Sequence, residues 1–398
     1  MSFNIALSGI QAINEQLTTL SNNIANAGTY GFKSSRANFA SVYAGDQANG
    51  VQVQSLTQNI SQTGSLSSTG RGMDAAIQGR GFFTSRDTQG VVSYSRVGIF
   101  STNADGLLVD STGKKVQGYG PTTGGVLGTM GDIAIPTGQI PAVATTKVSY
   151  AGNMSGDWKV PTVTPFKATD ANSYNMVKQS VVYDSLGTQH TVSQYFVKTD
   201  ADTVAVHYSL DGAAPPAGAG FAMDFDTKGQ ILPASTTGTV LTIPGAAAGA
   251  ADMTFSFDYT GTSKFAGEAT NTTNRADGYA SGTFVGVELA ENGSIVAKYS
   301  NEQQQVVGTI AIATFPDEGS LVSVSDTAWI ANASSGAPLY TTPGVGLGGK
   351  LSKGVLEGSN VDITSELVGL MTSQRNYQAN SKVITAENQM MQSLMQAL

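Results

Sequence analysis

Two apolar stripes, one at each end of the chain, constrain the fold more than anything between them. From Phe3 the apolar positions run Phe3, Ala6, Ile10, Ile13, Leu17, Leu20, Ile24 and Ala27, in alternating steps of three and four residues. The C-terminal end repeats the spacing less purely, through Ile363, Leu367, Leu370, Gln374, Tyr377, Ser381, Ile384, Asn388, Met391, Met395 and Leu398. Each reads as a long helix with a narrow apolar seam. A helix of about 25 residues extends about 37 Å, too long and thin to enclose a core alone. Burying about eight apolar side chains gains on the order of 12 to 24 kcal/mol, while ordering about 25 backbones costs tens. The N-terminal stripe therefore predicts a segment that orders only when another helix covers it. The nearest candidate is the chain's own C-terminus, and after that a neighbouring copy.

Composition points to an assembly protein. Of 398 residues only 13% are charged and 47 are Gly, which leaves a surface that is polar without being charged; ordinary soluble domains carry about 25% charge. The net charge of −8 leaves no basic footprint, so nucleic acid is not an expected partner. Without cysteine, the chain has no disulfides, thiolate metal sites or thiol nucleophiles. The first basic residue is Lys33 and polar residues interrupt the apolar ones before it, so no cleaved secretory signal is expected. No run approaches the roughly 18 apolar residues of a membrane span, and membrane insertion is not expected.

The expected fold class is α+β and multidomain, with terminal helices paired together and a mainly β middle. The N-terminal helix should stop at Asn26-Ala27-Gly28, where Gly tolerates the left-handed cap. The C-terminal helix should start near Ser359-Asn360-Val361-Asp362, with Asp362 and Glu366 favoured at the positive helix end. Residues 1–30 and 359–398 form the expected helical core domain, and 31–72 an extended connector anchored by Phe32, Phe39, Val42, Tyr43, Val51 and Val53. Pro136 and Pro141, and the Thr/Asn run at 269–277, mark crossing points between domains. They divide a discontinuous β domain, 73–146 and 274–358, from an inserted β domain at 147–273. Asp105-Gly106, Asp211-Gly212 and Asn292-Gly293 read as type I′ hairpin turns. A hairpin is expected around Asn292-Gly293, and another pairs 188–198 with 203–210. The Ala/Gly/Pro-rich loops at 212–220 and 245–251 carry no expected chemistry.

Catalytic constellations fail on inspection. His190 and His207 lie on neighbouring expected strands without a Cys or clustered acid at ligand spacing, so no metal site is expected. Asp224 and Asp226 share a strand face, as one pair among 29 acids does by chance. Gly70-Arg71-Gly72 and Gly79-Arg80-Gly81 lack the continuation of a dinucleotide or phosphate loop and read as tight turns. No catalytic residue and no cofactor are expected.

The stretch from Leu20 to Lys33, with Asn22, Asn23, Ile24, Ala25, Asn26, Tyr30, Gly31, Phe32 and Lys33, resembles the N-terminal signature of the axial proteins of the bacterial flagellum, the rod and hook subunits. Thr69 to Ile77, Tyr183 to Gly187 with Tyr195 to Lys198, and Tyr299 to Val306 resemble the hook subunits of that family; Asn360 to Asp362 and Gln374 to Asn380 are similar to the axial family again. The resemblance implies export through the flagellar type III apparatus without signal cleavage, and location in the hook outside the cell. It also implies polymerisation with itself into a curved hollow tube, a universal joint passing torque from rod to filament. Flagellar rod, hook cap and hook-filament junction proteins are the further implied partners. A distal rod subunit is the alternative, disfavoured by the inserted domain; an enzyme or secreted binding module is a third. The stripes become the implied inner wall of the tube, the C-terminal one weakened where Gln374, Ser381 and Asn388 recur every seven residues.

Overall fold

A computed structural model describes residues 2–44, 47–122, 126–213, 220–243, 249 and 251–397. Leu398 and most of the loops at 212–220 and 245–251 lie outside the described residues. The chain divides into two compact units: Met1–Thr137 with Gly286–Lys298 and Gln304–Leu398, and Gly138–Val285 with Tyr299–Gln303.

In the first unit, helix α1 (Ser2–Ala25) packs against helix α2 (Ile363–Ala397) and against a hairpin of strands β1 (Ser35–Ala44) and β2 (Gln47–Gln58). The expected helix stop is a turn beyond α1, with the Asn26 N–H donating to the Asn22 carbonyl at 3.1 Å and the Thr29 N–H to the Asn26 carbonyl at 3.1 Å. Ala27 therefore lies past the helix, and the left-handed residue is Gly31 (φ 70°), not Gly28. At the start of α2 the cap is Asp362: its Oδ1 accepts from the N–H of Thr364 at 2.9 Å, and its Oδ2 from the Ser365 hydroxyl at 3.0 Å.

The segment read as an extended connector is mostly the β1–β2 hairpin. One face leans on α1 through small contacts: the Val51 N–H donates to Ser8 Oγ at 3.2 Å, and a Cβ added at Gly50 would lie 2.1 Å from that oxygen. The only apolar alternation it leaves in β2 is the short one at Val51 and Val53. Beyond the hairpin, Leu66–Ser68 pairs with Val355–Glu357, and Ala75–Gln78 with Lys350–Lys353. A larger sheet runs through Gln304–Ile310, Lys115–Tyr119, Phe82–Arg86, Val92–Ser95, Ala328–Ile330 and Val322–Val324. Its core gathers Phe82, Tyr94, Phe315, Leu321 and Trp329, and the Trp329 indole N–H donates to Gln58 Oε1 at 2.7 Å. The turn at Asn292-Gly293 closes as expected, but only Gly293 (φ 81°) is left-handed; Asp105-Gly106 behaves likewise, with φ 73° at Gly106. Of the three turn dipeptides only Asp211-Gly212, at φ 48° and 77°, has both residues in the type I′ region.

The second unit packs a four-stranded meander, Met176–Tyr183, Gln189–Lys198, Thr203–Leu210 and Gly220–Asp224, with a four-stranded sheet of Leu241–Ile243, Met253–Asp258, Lys147–Asn153 and Thr270–Ala276. It extends past 147–273 on both sides, because Ile140 bridges Gly282 and Val143 bridges Tyr279. Val204, Val206 and Tyr208 share the buried face expected of them, with Leu210 half-buried. Tyr208 stacks on Phe257 (centroids 5.0 Å apart), and its hydroxyl meets that of Tyr259 at 3.0 Å. Tyr259 donates to Gln194 Oε1 at 2.8 Å, and Gln194 donates to Ser180 Oγ at 2.7 Å. Tyr208, Tyr259, Gln194 and Ser180 thus satisfy one another, as burial in an apolar core requires.

Candidate assembly surface and its anchor

The two helices run antiparallel. Gly9 faces Asn380, Leu20 faces Gly369, and the Asn23 amide donates to Glu366 Oε1 at 3.1 Å. The approach is close: a Cβ added at Gly369 would lie 3.2 Å from Leu20 Cδ2, and one at Gly9 would lie 3.2 Å from Asn380 Nδ2. This register gives the 24 residues of α1 no counterpart for the last turns of the 35-residue α2.

The N-terminal stripe is largely covered within the chain. Ala6 and Ile13 are buried, Ile10, Leu17, Leu20, Ile24 and Ala27 are half-buried, and Phe3 is exposed. The C-terminal stripe is mostly bare: Leu370 and Ile384 are half-buried, whereas Ile363, Leu367, Tyr377, Met391 and Met395 are exposed, the last at 77%. Met371, Met390 and Leu394 extend the exposed apolar surface. What α2 turns inward instead is Gly369, buried Ser373 and half-buried Asn380 and Glu387. Gln374, Ser381 and Asn388, expected in the seam, are exposed, one residue and hence about 100° round the helix from it. Small and polar residues let the helices approach, so the apolar marking of α2 points away from α1.

Below the helices sits an anchor absent from the sequence reading. The side chains of Lys33, Arg96 and Glu357 are each about 1% exposed or less. Lys33 Nζ donates to Glu357 Oε1 and to the Gln62 carbonyl, both at 2.6 Å. Arg96 donates to Glu357 Oε2 at 3.3 Å and to the Gly79 carbonyl at 2.9 Å, with its guanidinium 5.2 Å above the Phe82 ring. Burial pulls the pKa of both cations below their ordinary ranges, and the neighbouring Glu357 opposes that shift. Around this cluster the signature residues tie backbone to backbone. Asn23 brackets Ser35, accepting from its N–H at 2.9 Å and donating to its carbonyl at 2.8 Å. Asn26 reaches back to Asn22, and the Gly31 N–H donates to the Glu357 carbonyl at 2.8 Å. Asn360 accepts from the Ser34 N–H at 2.7 Å and donates to the Asn59 carbonyl at 2.8 Å. Phe32 is half-buried; Tyr30 and Ala25 are exposed.

The residues tested for catalysis have structural partners. His190 lies with Nδ1 2.8 Å from Asp211 and Nε2 3.7 Å from Asp184, so acids do accompany it, although the sequence spacing suggested none. His207 stacks on Phe166 at 4.3 Å, and burial pulls its pKa down. Asp224 accepts from the Thr203 hydroxyl at 2.9 Å, while Asp226 caps the 226–230 turn. Arg80 pairs with Glu318 at 3.0 Å, and Arg71 with Asp74 at 3.7 Å. Among the described residues no group of three His, Asp or Glu is placed to hold a metal, and no helix is long and apolar enough to cross a membrane.

Comparison with known proteins agrees along the whole chain. Residues 3–33 match the model for flagella basal body rod proteins, and 352–397 the C-terminal model of the basal body rod FlgEFG proteins. Residues 76–156 match the D1 domain of flagellar hook protein FlgE/F/G, and 153–279 the D2 domain of flagellar basal body protein FlaE. Flagellar hook protein FlgE of Salmonella typhimurium is 39% identical over 405 residues, covering 99% of both chains. The Escherichia coli protein is 38% identical with the same coverage, and that of Brucella suis 30% over 98% of this chain and 96% of its own. The crystal structure of Helicobacter pylori flagellar hook protein FlgE2 shares the fold, with TM-score 0.54 at 14% identity over 73% of this chain and 100% of that one. The family is structural and not an enzyme family. This chain belongs to the flagellar hook protein family, whose members are structural subunits of the hook.

Proposed function

We propose that the chain polymerises with copies of itself into a curved hollow tube that acts as a universal joint between flagellar rod and filament. In this reading the segments 1–30 and 359–398 form the inner wall and the β units the outer layers. The subunit is exported by the flagellar type III apparatus without signal cleavage, and the polymer meets the rod, hook cap and hook-filament junction proteins. One observation carries the reading: the exposed apolar face of α2, with Phe3, Ile5 and Leu7 exposed on α1. Covering the exposed half of each such side chain gains on the order of 1 kcal/mol, so a bare row of them favours a neighbour. Contacts repeated head to tail without closing produce a helical filament.

The test is Leu367→Glu with Met395→Glu in the full chain. The subunit stays folded, because both side chains already face solvent, but tubes no longer form. Tubes at wild-type yield would sink the proposal, as would tubes from a chain lacking residues 1–30.

A further inference from the structure

We infer that Glu357 is the positioning residue that makes the ordering of the two chain ends a single event, by serving as one carboxylate for two buried cations from distant parts of the sequence. The inference deepens the assembly reading, in which both ends order together. Its test is made on the unassembled chain, so failure to form tubes does not bear on it.

Glu357 touches three stretches of chain, at 31–33, 64 and 96. Its Oε1 accepts from Lys33 Nζ at 2.6 Å and from the Gly64 N–H at 3.1 Å, its Oε2 from Arg96 at 3.3 Å, and its carbonyl from the Gly31 N–H at 2.8 Å. Three positions after it, Asn360 binds the Ser34 N–H; Glu366 binds Asn23. The N-terminal segment therefore closes on a surface that exists only when the C-terminal segment is in place.

Charge count makes this more than packing. Lys33 and Arg96 supply two positive charges and Glu357 one negative. Glu318 also acts on both cations, but it is bonded to the half-exposed Arg80 at 3.0 Å. Removing the Glu357 charge leaves two buried cations facing each other without their anion, whereas removing Lys33 leaves Arg96 and Glu357 balanced one to one. An uncompensated buried charge is far more costly than a missing pair. Lys33→Met should therefore suppress the damage of Glu357→Gln, which a packing role does not predict.

Hydrogen exchange of the full chain tests this, following peptides at 31–36, 94–98 and 355–361, with 253–258 of the second unit as internal reference. Glu357→Gln lowers protection of all three by about 100-fold or more, Lys33→Met by less than about tenfold, and the double variant recovers at least about tenfold over Glu357→Gln. A double variant less protected than Glu357→Gln overturns the inference, as does a loss confined to 355–361. Should Glu357→Gln leave the first unit unfolded, the double variant still decides: recovery supports the inference, and none overturns it.

Discussion

At the scale of residues, single contacts decide more than sequence pattern reveals. In the sequence Lys33 is the first basic residue and a member of a signature, but an ion pair to a residue 324 positions away leaves no local periodicity to read. Gly31 is similar. Its φ of 70° and a prospective Cβ 3.0 Å from Val97 Cγ2 exclude a side chain, so Gly31→Ala should lower the stability of the first unit by about 1–3 kcal/mol, measured by urea unfolding. The second unit offers a pH test. Hydrogen bonds from Lys147 and Thr260 hold the Asp258 carboxylate at about 2, below its ordinary 3.8. A depressed folded value stabilises above the unfolded value and is lost as pH falls through the folded one. The second unit should therefore weaken as pH falls from about 4 to about 2, by on the order of 1–2 kcal/mol after solvent screening. Asp258→Asn should remove that part of the pH dependence in calorimetric scans, and an unchanged slope would exclude Asp258 as its source.

At the scale of elements, helices and the positions of turns were legible, whereas the type of two turns and the seam between helices were not. Steps of three and four found α1, and Asp362 marked the start of α2, because both signals are local. The α1–α2 interface is written in Gly369, Ser373 and Asn380, which have no apolar signature, while the visible stripe marks the outer face of α2. The β1–β2 hairpin escaped because its apolar alternation, Val51 and Val53, is only two positions long and its close contact with α1 runs through Ser8 and Gly50. Two outcomes follow. Ser373→Leu overfills the close seam and should cost about 1–3 kcal/mol in helix melting followed by circular dichroism. Leu at Gln374, Ser381 and Asn388 should leave that melting nearly unchanged, since all three are exposed, and alter only contacts between copies. Equal destabilisation by both sets would mean that the seam is misplaced.

At the scale of the whole molecule, the two units divide the work. The second carries its own core of stacked aromatics and a hydrogen-bonded chain of Tyr208, Tyr259, Gln194 and Ser180. The first carries the arm of paired helices, anchored at Glu357 and bare along α2. A subunit whose apolar face turns outward is incomplete alone, and family membership says what the completed object is. In the assembly we propose, this outward face joins copies into a curved tube. Electron microscopy of the concentrated full-length chain tests it most directly: curved hollow tubes are the predicted result, and straight tubes, or no polymer across a range of salt concentrations, would contradict it.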